Sequence, residues 1–178
     1  MKKTVLTFGI ISGVIVAILM GINTFFADRI GFDRAIIVGY TTMLVAFLLV
    51  FFGIKSYRDN IGGGEITFGR AFTVGILISL ITCAFYVVSW EILYYTFLQD
   101  FPEKYGNYLI EKSRAAGATP EQIAQQLEEV KQMKALLDNP LVAPALIFIS
   151  EPLPVGLVMT LISAAILRKR RKQVEVPV

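Results

Sequence analysis

Two glutamates stand within apolar stretches of this sequence, where an ionisable side chain is unusual. Glu151 begins the motif EPLP inside one long apolar stretch, and Glu91 follows the single tryptophan near the end of another. A carboxylate inside a membrane is costly unless it is protonated or paired, so such residues are candidates for a functional site. A pair of such glutamates suits proton-linked transport or acid–base chemistry. Glu151 and Glu91 are therefore the candidate intramembrane polar site.

Glu151 has two interpretations. It lies 17 residues before Arg168, which is about 25 Å along a helix and places it in the outer half of a membrane. Pro152 and Pro154 remove backbone donors and predict a helix break, and polar residues at such breaks recur at transporter substrate sites. Alternatively, Pro152 begins a shorter helix, and Glu151 faces the positive end of its dipole near the outer interface.

Glu91 also has a structural interpretation. Trp90 precedes it, and Tyr94 and Tyr95 follow it closely. Tryptophan and tyrosine collect at the membrane–water interface, where one end of the side chain is apolar and the other is wet. In this interpretation Glu91 is an interfacial residue that lies about 31 Å of helix away from Arg70.

A charged and glycine-rich connection separates the second and third apolar stretches. Its ionisable residues either form an ion-pair cluster that clamps two helices or holds a lipid headgroup, or they form a solvated loop that directs topology. The three consecutive glycines at 62–64 lack the lysine and the following serine or threonine of a phosphate-binding loop. The candidate cluster consists of Lys55, Arg58, Asp59, Glu65 and Arg70.

The residue inventory excludes several kinds of site. The sequence has no histidine, and its one cysteine, Cys83, lies in an apolar stretch. A Cys/His zinc site, a Ser-His-Asp triad and an intramolecular disulfide are therefore ruled out. We predict no metal and no cofactor.

Composition predicts the membrane class for the elements that must position these residues. Of 178 residues, 55% are hydrophobic and 17% are charged, too few polar residues to cover a soluble domain of this size. The sequence predicts an all-α integral membrane protein, a single domain with four transmembrane helices at about 4–26, 35–54, 70–97 and 141–167. The first stretch is too long for a signal peptide, so we expect it to be retained.

Small residues recur every four positions on two of the predicted helices. One stripe contains Gly9, Gly13, Ala17 and Gly21, and the other contains Ala71, Gly75, Ser79 and Cys83. Such stripes allow a neighbouring helix to approach closely.

The segment 99–140 is the only long polar insert between these helices. Pro102 and Gly117 bracket one predicted helix, and the sequence TPEQ at 119–122 combines an N-cap, a first-turn proline and a capping-box glutamine. We expect a helical hairpin between the third and fourth transmembrane helices. Its apolar stripe would lie on the membrane surface, cover the helix bundle or bind a partner.

Basic residues are distributed unevenly between the two sides of the predicted membrane. The N-terminus, the 55–70 connection and the C-terminal tail hold ten of the 17 Lys and Arg residues, and a short polar loop at 28–34 holds two. The positive-inside rule then places both termini in the cytoplasm and the hairpin outside. The basic tail at 168–172 suits anionic lipid at the cytoplasmic face rather than nucleic acid.

Four motifs resemble a known family. They are GIKSYRD at 53–59, GGGEITFGRAF at 62–72, YVVSWE at 86–91 and EPLPVGL at 151–157. In this order they resemble domain-of-unknown-function family 4199, a family of small bacterial membrane proteins. The resemblance implies a four-helix protein of the bacterial inner membrane and supplies no catalytic residues.

Three function classes remain open at this point. An accessory or structural membrane protein, acting on a membrane-protein partner through the hairpin and the helix faces, is favoured because it needs no chemistry. A small homo-oligomeric transporter or ion-coupled carrier would use Glu151 and the Pro-broken fourth helix. An intramembrane enzyme is least favoured, because nothing orients a nucleophile beside the two glutamates.

Overall fold

Four helix spans form a bundle in the computed structural model, which describes residues 1–169. Four spans are long and apolar enough to cross a membrane: Lys2–Ala27, Phe32–Asn60, Phe68–Phe97 and Ala143–Leu167. Within the described residues no strand forms, so the predicted all-α class is confirmed. The helices are α1 (Lys2–Ile30), α2 (Phe32–Asn60), α3 (Phe68–Phe97), α4 (Phe101–Ala115), α5 (Pro120–Leu137), α6 (Ala143–Ser150) and α7 (Pro152–Leu167).

Helix α3 is the centre of the bundle. It packs against α1, α2, α6 and α7, and its small-residue stripe of Ala71, Gly75, Ser79 and Cys83 is buried. Phe47, Val50 and Ile54 of α2 pack with it at zero exposure. The other side chains of α1 and α2 leave many large apolar groups exposed, as expected for helices that face lipid.

The first half of the predicted stripe on α1 packs against α3. A Cβ at Gly9 would meet the side chain of Ile81, and a Cβ at Gly13 would meet the ring of Phe85. The two glycines therefore accept side chains of α3, as the four-residue spacing predicts. At Gly21 a Cβ would meet no heavy atom within 4 Å, so the stripe ends in open space.

A third set of small residues lies on α7 and was not recognised in the sequence. Gly156, Thr160 and Ala164 recur every four residues and are buried. Ser79 donates to the carbonyl of Gly156 at 3.3 Å and lies 3.0 Å from the Thr160 hydroxyl oxygen. The spacing alone could have identified this stripe.

The connections between spans are shorter than the sequence suggests. The polar segment at 28–34, predicted as a loop, is helical except for Gly31, which has φ +80°. Glycine tolerates this left-handed conformation, so one residue is enough to separate α1 from α2. At the other end, α2 continues to Asn60, and Lys55, Arg58 and Asp59 therefore lie on the helix.

The turn between α2 and α3 is formed by two glycines and an N-cap. Gly63 and Gly64 have positive φ, and the Thr67 side chain accepts from the backbone of Arg70 as the N-cap of α3. Ile66 forms an isolated antiparallel bridge with Lys169, which ties this turn to the end of the fourth span. Residues 170–172 of the basic tail lie outside the described residues.

Helices α4 and α5 form the predicted hairpin. Thr119 and Gln122 make the predicted capping box at the start of α5, and Gly117 ends the preceding turn with φ +83°. Gly106 of α4 lies directly against the side chain of Val130 of α5. Gln126 adds a hydrogen bond from its amide nitrogen to the Ser113 hydroxyl at 2.8 Å.

Candidate functional site

The fourth span is broken at Glu151. Helix α6 ends at Ser150 and α7 begins at Pro152, so Glu151 is the one residue between them, with φ −118° and ψ −76°. Pro152 has no amide hydrogen, and its ring disfavours helical geometry in the preceding residue. Both predicted interpretations describe part of this geometry, because Pro152 begins α7 while a helix continues on the other side of the break.

The carboxylate of Glu151 faces α3 at the break. Its Oε2 accepts a hydrogen bond from the hydroxyl of Tyr86, and its side chain does not cap α7. Within residues 1–169, no lysine or arginine forms an ion pair with it. The hydrogen bond satisfies part of a polar group that would otherwise be costly at this depth.

A cavity of about 780 Å³ lies beside this pair of residues. Its wall is formed by side chains from α1 to α6, most of them apolar or aromatic. This volume falls in the range of pockets that hold small molecules, which is roughly 300–1,000 Å³. Polar side chains also line this space, among them those of Asn23, Tyr40, Tyr86, Ser150 and Glu151.

The break in the fourth span accounts for the position of the cavity. Helix α7 packs against both α2 and α3, whereas α6 packs against α3 and α7. Helix α6 thus diverges from α2, and the space between them is not filled. Gly21 and Gly39, which line the cavity from α1 and α2, leave more of it open because they have no side chains.

Asn23 contributes an unsatisfied polar atom to this region. Its amide nitrogen donates to the carbonyl of Ala35 at 3.2 Å. Its side-chain oxygen is buried and has no hydrogen-bond partner among the described residues. A buried acceptor without a donor is rare in proteins.

Aromatic side chains of α4 cover one end of the cavity. Phe101 stacks on Tyr105 and makes an edge contact with Trp90 of α3. Phe32, at the start of α2, contacts both Phe101 and Tyr105. The apolar face of α4 is therefore used to cover the bundle, one of the roles predicted for the hairpin.

Two polar contacts fasten the hairpin to the bundle. Lys112 of α4 lies 2.9 Å from Asp33 of α2, and its hydrogen bond with Tyr108, together with Asp33, raises the pKa of the ammonium group. At the end of α5, the Tyr94 hydroxyl donates to Asp138 at 2.6 Å. That hydrogen bond lowers the pKa of the Asp138 carboxyl.

The other predicted candidates do not join this site. Glu91 is half-buried on α3 and does not line the cavity, so the structure pairs Glu151 with Tyr86 and not with Glu91. In the cluster predicted at the 55–70 connection, Arg58 contacts Asp59 at 2.7 Å. Among the described residues Lys55, Glu65 and Arg70 form no ion pair with them.

Sequence reasoning missed three residues of the site. Tyr86 lies one helical turn before Trp90 on the same face of α3, and this spacing was a usable signal. Asn23 is the one amide side chain in the first apolar stretch, and its isolation was a second signal. Tyr40 gave no signal, because it lines the cavity only through the packing of α2 against α1 and α3.

Comparison with known proteins identifies a family for this chain. No curated protein and no solved structure matches the chain. A family profile described as "protein of unknown function (DUF4199)" matches residues 7–169, which include three of the four candidate membrane spans in full and most of the first. The chain therefore belongs to the DUF4199 family.

Proposed function

We propose that this protein binds a small molecule in the cavity beside Glu151 and acts as a carrier for it in the membrane. The main observation in support of this proposal is the cavity of about 780 Å³ at the break of a candidate membrane span. A broken helix, a carboxylate at the break and an adjoining cavity are the features of substrate sites in many secondary transporters. Four spans leave little room for a pathway, so a homo-oligomer is part of the proposal.

Filling the cavity tests this function. A Cβ at Gly21 meets no heavy atom within 4 Å, so a phenylalanine there can enter the cavity without displacing the bundle. Organic solvent should release a bound small molecule from purified wild-type protein. We expect the amount released from Gly21→Phe to be at least about tenfold lower. Mass spectrometry of the released material is the measurement.

Gly69→Phe is the matched control for the cavity-filling variant. Gly69 is also helical and has no heavy atom within 4 Å of an added Cβ, but it does not line the cavity. Both variants should elute as the wild type does in size-exclusion chromatography. Retention of the released molecule by Gly21→Phe, or wild-type protein that releases none, would count against the proposed function.

The proposal also includes an orientation. We infer that both termini lie in the cytoplasm of a bacterial cell and that α4 and α5 lie outside the inner membrane. The support is the concentration of Lys and Arg at the N-terminus, in the 55–70 connection and in the tail. In this orientation the basic groups at 55, 58 and 70 lie near anionic lipid headgroups.

A cysteine at Glu128 tests the orientation. The Glu128 side chain is 61% exposed on α5, and the native Cys83 is fully buried, which keeps the background low. We expect an impermeant maleimide to label Glu128→Cys in intact cells and to label Asn60→Cys only after lysis. The reverse pattern would invert the topology.

An accessory role is the second candidate, and the surface of α5 favours it. Leu127, Met133 and Leu136 are exposed on this helix, and a membrane-protein partner would cover them. Under this alternative Leu127→Ser, which leaves the cavity intact, removes a co-purifying protein, whereas Gly21→Phe does not. Under the carrier proposal, Gly21→Phe loses the released small molecule and Leu127→Ser retains it.

A further inference from the structure

The charges on the cavity wall are not balanced. Among the described residues that line it, Lys104 is the only basic one, and it lies 2.8 Å from Asp100 at the outer end. Glu151 lies at the break and has no such basic partner within residues 1–169. The part of the cavity near the break is therefore suited to a positive charge.

The carboxylate of Glu151 keeps an acceptor near the break. Tyr86 already gives its hydroxyl proton to Glu151 Oε2, which leaves Oε1 of the carboxylate available. An anionic ligand would be repelled by this carboxylate, whereas a cation is attracted to it.

The rest of the wall suits an apolar or aromatic body. Aromatic rings attract cations through the negative charge on their faces, and they also bury large apolar areas. A small inorganic cation such as Ca²⁺ needs six to eight oxygen ligands, and within residues 1–169 no group of three or more acidic side chains is placed to hold one. The aromatic residues that line the cavity include Tyr40, Tyr86, Trp90, Phe101 and Tyr105.

We propose that the cavity binds an organic cation with an apolar body, with its charge at Glu151 and its body against the aromatic side chains of α3 and α4. This inference rests on the proposed small-molecule binding and specifies its ligand class. Glu151 acts as the counter-ion and Tyr86 holds the carboxylate toward the cavity. Trp90, one helical turn from Tyr86, contacts the body of the ligand.

Trp90 allows a direct test, because it is the only tryptophan in the chain and lines the cavity. Tetraphenylphosphonium and tetraphenylborate have nearly the same shape and opposite charge. In nanodiscs of neutral lipid, we expect the cation to change Trp90 emission saturably and the borate to give only the linear change of membrane partitioning. Gly21→Phe discs, in which the cavity is filled, supply that linear background.

Substitution of the counter-ion completes the test. Glu151→Gln should raise the dissociation constant of the phosphonium at least about tenfold, since it removes one member of a poorly hydrated charge pair. Glu151→Asp, which keeps the charge on a shorter side chain, should restore part of the affinity. Size-exclusion profiles identify any variant that fails to fold, and the comparison of the two ions on wild-type protein needs no variant.

The outcomes separate this inference from the function on which it rests. Equal saturable binding of both ions, or phosphonium binding unchanged in Glu151→Gln, overturns the cation assignment and leaves a small-molecule site. Absence of saturable phosphonium binding also overturns it. If the wild type in addition releases no small molecule that Gly21→Phe lacks, the proposed function fails as well.

Discussion

Gly156→Leu should destabilise the whole bundle. A Cβ at this position would lie 2.7 Å from Cε1 of Phe47 and 3.0 Å from Cβ of Ser79, and both of those side chains are fully buried. Neither neighbour can move without displacing the core that α2, α3 and α7 share. Overpacking of this kind costs about 1–3 kcal/mol, and more where the site cannot relax. We expect the upper end of that range.

Unfolding by SDS in mixed micelles, followed by Trp90 emission, measures this effect. Gly69→Leu is the control, because it makes the same change on a helix where an added Cβ meets no heavy atom within 4 Å. Gly156→Leu should unfold at a clearly lower SDS fraction, and Gly69→Leu should resemble the wild type. Equal midpoints for the two variants would show that α7 does not pack at Gly156 as described.

Gly106→Leu should open the hairpin and leave the bundle folded. A Cβ there would lie 2.8 Å from Cγ2 of Val130 and closer still to Cγ1, so α4 and α5 could not keep their present separation. The hairpin has few buried residues of its own, Pro102, Gly106 and Ile110 on α4 and Leu137 on α5. We expect a loss of about 1–3 kcal/mol that is confined to this unit.

Limited trypsin digestion measures the opening of the hairpin. Arg114, Lys131 and Lys134 are on the hairpin, and cleavage at these sites should become several times faster in Gly106→Leu. The SDS midpoint of the bundle should change little, in contrast to Gly156→Leu. A variant that resists trypsin as the wild type does, or one that unfolds globally, would contradict a hairpin that opens independently.

The sequence predicted the spans and the local turns well, because each depends on neighbouring residues. Apolar length alone indicates a membrane helix, and Thr67 and Thr119 signal their helix starts through side chains that act three residues away. The EPLP motif likewise predicted the break in the fourth span. The connection at 28–34 was predicted as a loop, but the single residue Gly31 separates the two helices.

The cavity was beyond sequence reasoning, because it depends on contacts between distant residues. Tyr86 and Glu151 are 65 positions apart, and neither local sequence indicates that the two residues are in contact. The four-residue stripes indicate that helices approach closely but not which helices do so. The separation of α6 from α2 follows from the direction that α6 takes after the break, which no local pattern encodes.

The break at Glu151 divides the fourth span into two halves that differ in how they pack against the bundle. The half that follows the break, α7, has 16 residues and is held by small-residue contacts on two sides. The half that precedes it, α6, has eight residues and is not held against α2 in the same way. Because proline lies at the junction, we expect α6 to change its tilt relative to α7. The hinge would be Glu151, the residue that faces the cavity. Occupancy of the cavity and the tilt of α6 would then change together, so a distance label on α6 would report binding without contacting the ligand.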